Sequence, residues 1–121
     1  EVDCVVPRDC VNTFVEYVHQ VREDMGIRIK SFGHAGDGNL HIYILRDDMN
    51  DADWKKNLGD AMERMYAKSR ELKGLVSGEH GVGLAKMSYM SENYAPEKIE
   101  LMRGIKKAFD AKGILNPSKL F

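Results

Sequence analysis

The chain has 121 residues, of which 43% are hydrophobic and 31% are charged, and its formal net charge is −1. These values are typical of one soluble globular domain with its own core. The small net charge offers no basic surface to nucleic acid, and no apolar run approaches the roughly 18 residues that a membrane-spanning helix needs. The two cysteines lack the spacing of a metal motif, which predicts reduced thiols in a cytoplasmic protein. Any association with a membrane is expected to come through partners.

The first half of the chain predicts a strand, a helix and a β-hairpin. The strand covers residues 2–6 and ends at Pro7, and the helix follows from Asp9 to Gly26 with apolar residues every three or four positions. Residues 27–32 and 40–45 alternate between apolar and polar side chains, as two half-buried strands do. The first residue is Glu1 rather than Met, so we expect the chain to be part of a longer protein.

The second half predicts two further helices and a short extended segment. Capping and acidic residues at 50–53 begin a helix that Gly74 ends, and residues 75–77 are extended. After a weak helical segment at 84–90, Pro96 begins a last helix that stops at Gly113. The order β-α-β-β-α-β predicts an α+β fold of the ferredoxin-like split βαβ type. Its antiparallel sheet has both helices on one face, and C-terminal helices follow. We expect the apolar stripes of all these helices to lie in the core.

Two histidines flank the turn of the predicted hairpin. Asp37 and Gly38 lie midway between His34 and His41, in a sequence with strong turn propensity. Symmetric pairing about this centre would place the two histidines directly opposite one another, with Cβ atoms about 5 Å apart. Alternation puts both on the face away from the apolar side chains. Two imidazoles at that separation can share one metal ion.

A second polar cluster lies between glycines near residue 80. Glu79 and His80 are adjacent, and the flanking glycines permit a bend through which both side chains reach one site. With His34 and His41, Glu79 would complete a two-histidine, one-carboxylate set that suits zinc or non-haem iron, leaving His80 as a general base. Three alternatives remain open: structural histidines, a phosphate-binding glycine loop, and a hydrolase in which His80 acts on metal-bound water.

Three motifs of the chain resemble those of one family, the FAD-linked oxidase C-terminal domain. This family includes the glycolate oxidase FAD subunit, D-lactate dehydrogenase and D-2-hydroxyglutarate dehydrogenase. The opening segment Val5-Val6-Pro7-Arg8 is also similar to the family's strand-to-helix junction, and the resemblance covers essentially the whole chain. The motifs are Gly33-His34-Ala35-Gly36-Asp37-Gly38-Asn39-Leu40-His41, Ser77-Gly78-Glu79-His80-Gly81-Val82-Gly83 and Gly113-Ile114-Leu115-Asn116-Pro117.

The resemblance implies that residues 1–121 form the C-terminal substrate-cap domain of an FAD-dependent 2-hydroxy acid dehydrogenase or oxidase of the glycolate or D-lactate type. It implies a divalent metal (zinc, iron or manganese) on His34, His41 and Glu79, with His80 as the catalytic base and Asn116 close to the flavin. FAD would be bound mainly by an N-terminal domain outside this chain, so the isolated chain would be inactive. The implied partners are a small 2-hydroxy acid, that FAD domain and an electron-transfer protein.

Two positions differ from the hydroxyglutarate branch of this family. Tyr43 stands where that branch has asparagine, and Glu1 stands where it has a substrate-binding lysine. The alternative function is a free-standing ferredoxin-like domain that binds metal or regulates another protein and never meets a flavin, because a fold of this type does not itself dictate function.

Overall fold

The computed structural model describes all 121 residues and divides into two compact units, Glu1–His80 and Gly81–Phe121. The first unit contains three strands and two long helices, and the second contains only helices and turns. This mixture confirms the predicted α+β class. The elements are β1 (Val2–Val5), α1 (Val11–Met25), β2 (Ile29–His34), β3 (Asn39–Ile44), α2 (Asp51–Glu71), α3 (Met90–Asn93) and α4 (Pro96–Phe109).

The sheet of the first unit is antiparallel, with the strand order β1-β3-β2. The predicted fourth strand is reduced to a single bridge, in which Leu75 pairs with Val5 at the edge formed by β1. The strand does not continue past Leu75, because the backbone N–H groups of residues 78–80 donate to the Asp3 side chain of β1 rather than to the backbone of that strand. The ferredoxin-like order is therefore present, with its outer strand almost absent.

The apolar face of the sheet packs against α1 and α2. Gly26 ends α1 in a left-handed conformation, and the Asn50 side chain caps α2 by accepting a hydrogen bond from the backbone N–H of Asp53, as expected from the sequence. The buried side chains come from both helices and all three strands, so the core lies between these layers. They include Val2, Cys4, Phe14, Val18, Val21, Ile29, Leu40, Ile42, Ile44, Ala61, Met65 and Tyr66.

The register of the hairpin differs from the symmetric pairing that the sequence predicts. His34 lies opposite Asn39, and Phe32 lies opposite His41. The difference arises because residues Ala35–Asp37 form a turn of 3-10 helix before Gly38, so the loop is centred one residue earlier. The partner of each residue therefore changes by two positions. Since side chains alternate with a period of two, the predicted polar face is still correct.

The helices of the second unit differ from their predicted packing. Pro96 begins α4 as expected, but its apolar side chains lie outside the core, with Leu101, Ile105 and Phe109 at 65%, 54% and 83% exposure. The stripe correctly predicts an apolar helix face, and the expectation that it is buried within this chain is wrong. The weak helical segment at 84–90 is a 3-10 turn, Met87–Tyr89, followed by α3. None of the helices combines the length and apolar character needed to cross a bilayer.

Candidate metal centre

His41 occupies the middle of the polar sheet face. It lies on the central strand β3, with Asp3 opposite on β1 and Phe32 opposite on β2, and it is buried. Its Nε2 is 3.0 Å from the Glu79 carboxylate, and its Nδ1 lies 3.2 Å from the Glu1 carboxylate without forming a hydrogen bond. No helix of the first unit lies on this face, but at His41 it is covered by the segment of residues 77–80, whose Glu79 and His80 side chains lie against the imidazole.

The three predicted metal ligands converge. His34 ends β2, its ring lies 6.2 Å from that of His41 in an edge-on arrangement, and one donor atom each from His34, His41 and Glu79 lie within 4.8 Å of one another. A tetrahedral ion with bonds of about 2.1 Å needs donors about 3.4 Å apart, so small side-chain movements would complete the set. Glu79 is half exposed, which leaves the site accessible from solvent. The donor chemistry and spacing therefore fit a divalent ion.

His80 lies beside this donor set rather than within it. Its ring stacks on that of His41, with centroids 4.7 Å apart and an interplanar angle of 25°. The Nδ1 of His80 lies 3.2 Å from the Glu1 carboxylate, and about half of the side chain is exposed. One nitrogen of the His80 ring therefore faces the Glu1 carboxylate, and the other, Nε2, lies 4.0 Å from the Glu79 carboxylate.

Glu1 brings a second carboxylate to the same wall. Its donor oxygen, His41 and His80 form a further cluster within 4.8 Å, which shares His41 with the first set. Glu1 also accepts a hydrogen bond from Tyr43. Partial burial raises the pKa of the Tyr43 phenol, and the bond to Glu1 and its negative charge raise that pKa further. Tyr43 is therefore held as a neutral hydroxyl at the border of the site.

The segment that carries Glu79 and His80 is hydrogen-bonded to the buried carboxylate of Asp3. The backbone N–H groups of residues 78, 79 and 80 donate to it at 3.0–3.3 Å, and the Ser77 hydroxyl donates at 2.8 Å. Sequence reasoning missed Asp3. The one available signal was a charged residue between two apolar residues, Val2 and Cys4, in a predicted strand.

Gly78 allows this segment to approach the sheet. A Cβ at this position would lie 2.2 Å from the Asn39 side-chain oxygen and 2.8 Å from an Asp3 oxygen. A side chain here would displace the Asn39 and Asp3 side chains, so glycine permits the close approach of the segment. Through this bend Glu79 and His80, although adjacent, both lie next to His41.

Asn116 lies in the second unit and has a left-handed backbone with φ of 47°. Asp110, at the end of α4, organises the turn that precedes Asn116 by accepting hydrogen bonds from the N–H groups of Ile114 and Leu115. The proximity of Asn116 to a flavin remains a prediction.

Comparison of the sequence with known proteins places the chain in a family. Residues 1–120 match the family described as FAD linked oxidases, C-terminal domain. The chain is 44% identical over 120 residues to a D-lactate dehydrogenase of Anaerostipes hadrus, covering 99% of this chain and 25% of that protein. It is 39% identical over 119 residues to the glycolate oxidase subunit GlcD of Bacillus subtilis, covering 98% of this chain and 25% of that protein.

A D-2-hydroxyglutarate dehydrogenase of Stutzerimonas stutzeri is 40% identical over 91 residues, which is 74% of this chain and 20% of that protein. The chain thus spans about a quarter of the length of the curated relatives that it matches. Two of the three motifs that carry the resemblance, residues 33–41 and 77–83, contain the side chains that lie around His41. The chain belongs to the family of C-terminal domains of FAD-linked oxidases.

Proposed function

We propose that this chain is the substrate-cap domain of an FAD-dependent 2-hydroxy acid dehydrogenase or oxidase of the glycolate or D-lactate type. The observation that carries the proposal is the convergence of His34, His41 and Glu79 donor atoms within 4.8 Å, with the His80 ring stacked beside them. Membership in the FAD-linked oxidase family favours this role over a free-standing metal-binding or regulatory domain.

His34, His41 and Glu79 would hold a divalent ion, with zinc, iron and manganese as the candidates that suit these ligands. When bound, such an ion lowers the pKa of a coordinated hydroxyl and fixes its orientation. With only three protein ligands, the ion would keep open coordination positions for the hydroxyl and carboxylate oxygens of a 2-hydroxy acid. Glu79 lies half exposed at the entrance, so a 2-hydroxy acid can approach from that side.

His80 is the proposed general base. Its Nε2 would accept the proton of the substrate hydroxyl, while Glu1 at 3.2 Å stabilises the positive charge that then develops on the imidazole. FAD would accept the hydride from the substrate Cα, and its binding domain would be N-terminal to this chain. Asn116 is proposed to contact the flavin, and reoxidation would need an electron-transfer partner.

Two consequences belong to the same proposal. The isolated chain has no catalytic activity, because the hydride acceptor is bound elsewhere. The protein is proposed to be cytoplasmic, with partners that can associate it with a membrane, in keeping with two cysteines that are free thiols.

The test uses the full-length flavoprotein and its variants His34→Ala, His41→Ala and Glu79→Gln. Each removes one of three protein ligands, so each is expected to lose bound metal together with flavin reduction by D-lactate or glycolate. Metal analysis and stopped-flow absorbance measure the two quantities. His19→Ala is the matched control, because His19 lies exposed on α1 and should retain both. Unchanged metal content in all three variants would rule out a metal on these residues, and failure of every 2-hydroxy acid to reduce the wild-type flavin would refute the substrate class.

A further inference from the structure

We infer that Asp3 is the positioning residue of this site: its carboxylate holds the 77–80 segment so that Glu79 and His80 both face His41. The inference rests on the proposed roles of Glu79 and His80. Asp3 itself contacts no substrate, and it acts through the backbone of the two residues that do.

The first support is the hydrogen bonding of Asp3. Its Oδ2 accepts hydrogen bonds from the Ser77 hydroxyl and from three consecutive backbone N–H groups, those of Gly78, Glu79 and His80. Three successive N–H groups converging on one oxygen fix the backbone direction through the segment. Hydrogen bonds to a carboxylate are stronger than those between neutral groups, so this attachment is rigid.

The second support is burial. Asp3 is 0% exposed, and a buried carboxylate is retained only where its charge is well satisfied. The Ser77 hydroxyl and the N–H groups of Gly78, Glu79 and His80, which donate to it, belong to the segment that bears the proposed ligand and base. The chain pairs with the sheet backbone at Leu75, and beyond that bridge these hydrogen bonds to Asp3 attach it to β1.

The third support is the register. Asp3 pairs directly with His41, and its Oδ1 lies 3.9 Å from the His41 Nδ1. Asp3 therefore fixes the position of the 77–80 segment relative to β3, the strand that carries His41. Glu79 is 3.0 Å from His41 and His80 is stacked on it because both are placed relative to the same carboxylate.

Asp3→Asn removes the charge and leaves a single neutral acceptor oxygen, so the hydrogen bonds from residues 77–80 weaken and the segment is expected to separate from β1. In the full-length flavoprotein, Zn²⁺ affinity measured by calorimetry should fall by about 10- to 100-fold, the usual effect of losing a group that orients metal ligands. At saturating Zn²⁺, kcat should fall by about 10- to 100-fold because the base is displaced, while KM changes little. Hydrogen exchange of the amides of residues 78–80 should accelerate in the metal-free protein.

Asp110→Asn is the matched control, because Asp110 is also a buried aspartate that organises a loop through backbone N–H groups, in the other unit. It should lower thermal stability without changing Zn²⁺ affinity or exchange at residues 78–80. Ser77→Ala is the milder variant, since it deletes one donor to Asp3 and keeps the fold. It should weaken Zn²⁺ binding several-fold.

The outcomes separate the two proposals. A wild-type protein without Zn²⁺ affinity contradicts the metal site, and the exchange measurement still decides the role of Asp3. Wild-type affinity and exchange in Asp3→Asn overturn the inference. If Asp3→Asn does not fold, unchanged Zn²⁺ affinity and exchange in Ser77→Ala overturn it as well.

Discussion

The imidazole of His80 lies against the imidazole of His41, with 4.7 Å between the ring centroids. The two rings belong to segments far apart in sequence, and their surroundings differ. His41 is 5% exposed and its Nε2 faces Glu79, whereas His80 is open to solvent on one side. We propose that this contrast separates a ligand, which must be held before substrate arrives, from a base, which must reach it.

His80→Gln tests that separation. Metal content and substrate KM should remain close to those of the wild-type protein, whereas the rate of flavin reduction should fall by about 10²–10⁴-fold, the usual loss on removing a general base. Metal analysis and stopped-flow flavin reduction provide the measurements, with His19→Ala as the control. Loss of metal in His80→Gln combined with its retention in Glu79→Gln would mean that the two roles are exchanged.

Gly78→Ala tests the close approach of the 77–80 segment from a different direction. The added Cβ would overlap the Asn39 side-chain oxygen at 2.2 Å and approach an Asp3 oxygen at 2.8 Å, so these side chains or the segment itself must shift and the hydrogen bonds to Asp3 are disturbed. We expect Zn²⁺ affinity of the full-length flavoprotein to fall by about 10-fold or more. Gly59→Ala is the control, because Gly59 lies in α2 with open space around it and alanine is the better helix former. Equal Zn²⁺ affinity in the two variants would show that the approach at Gly78 has no influence on the site.

Asp110 gives the second unit a defined response to acid. The hydrogen bond from Lys106 lowers the pKa of Asp110 below its ordinary value of 3.8. Burial opposes that shift, and the N–H groups of Leu115 and Ile114 lower the pKa further. A lowered pKa in the folded state means that this stabilisation is fully present above the unfolded value and is lost as pH falls through the folded value.

We therefore expect α4 and the following turn to lose structure as the pH falls below 3.8, and Asp110→Asn to show a smaller acid dependence. Hydrogen exchange of residues 106–115 across this range measures the effect. Glu100→Gln, an exposed carboxylate paired with Arg103, should behave like the wild-type protein. An acid dependence in Asp110→Asn equal to that of the wild type would contradict the assignment.

Two phenylalanines separate core from surface. Phe14 is 0% exposed and Phe109 is 83% exposed. Phe14→Ala should lower the free energy of unfolding by about 3–5 kcal/mol, because it leaves a cavity between α1 and the sheet. Phe109→Ala should change it by less than about 0.5 kcal/mol, as surface substitutions usually do. Urea unfolding of the 121-residue chain compares them, and similar losses in both would show that α4 is covered by a partner surface or by a second copy.

The sequence was sufficient for strands β1 to β3, for the helices α1, α2 and α4 and for the polar face of the hairpin, because alternation and helical periodicity are local properties. It did not show that the extended segment at 75–77 is reduced to one bridge. It was not sufficient for the pairing of His34 with Asn39, since the 3-10 turn at Ala35–Asp37 alters the register without changing the face. The exposure of the apolar side chains of α4 could not be predicted either. A stripe of apolar residues defines a face, but it does not identify what covers that face.

The candidate site was predictable as far as motifs extend. His34, His41, Glu79 and His80 all lie in glycine-rich segments, and the structure brings them together as expected. Asp3 was not predictable because its partners lie 74 to 77 positions further along the chain. No local pattern in a strand records contacts at that separation.

The same separation determines when the site can exist. During synthesis Asp3 leaves the ribosome long before residues 77–80, so its carboxylate lacks the donors of that segment until the first unit is nearly complete. Before that closure, the hairpin alone supplies only two imidazoles, and a premature or truncated product lacks the third donor. Assembly of the candidate centre is therefore a late event in folding, and loading with metal would report that β1 and the 77–80 segment have joined.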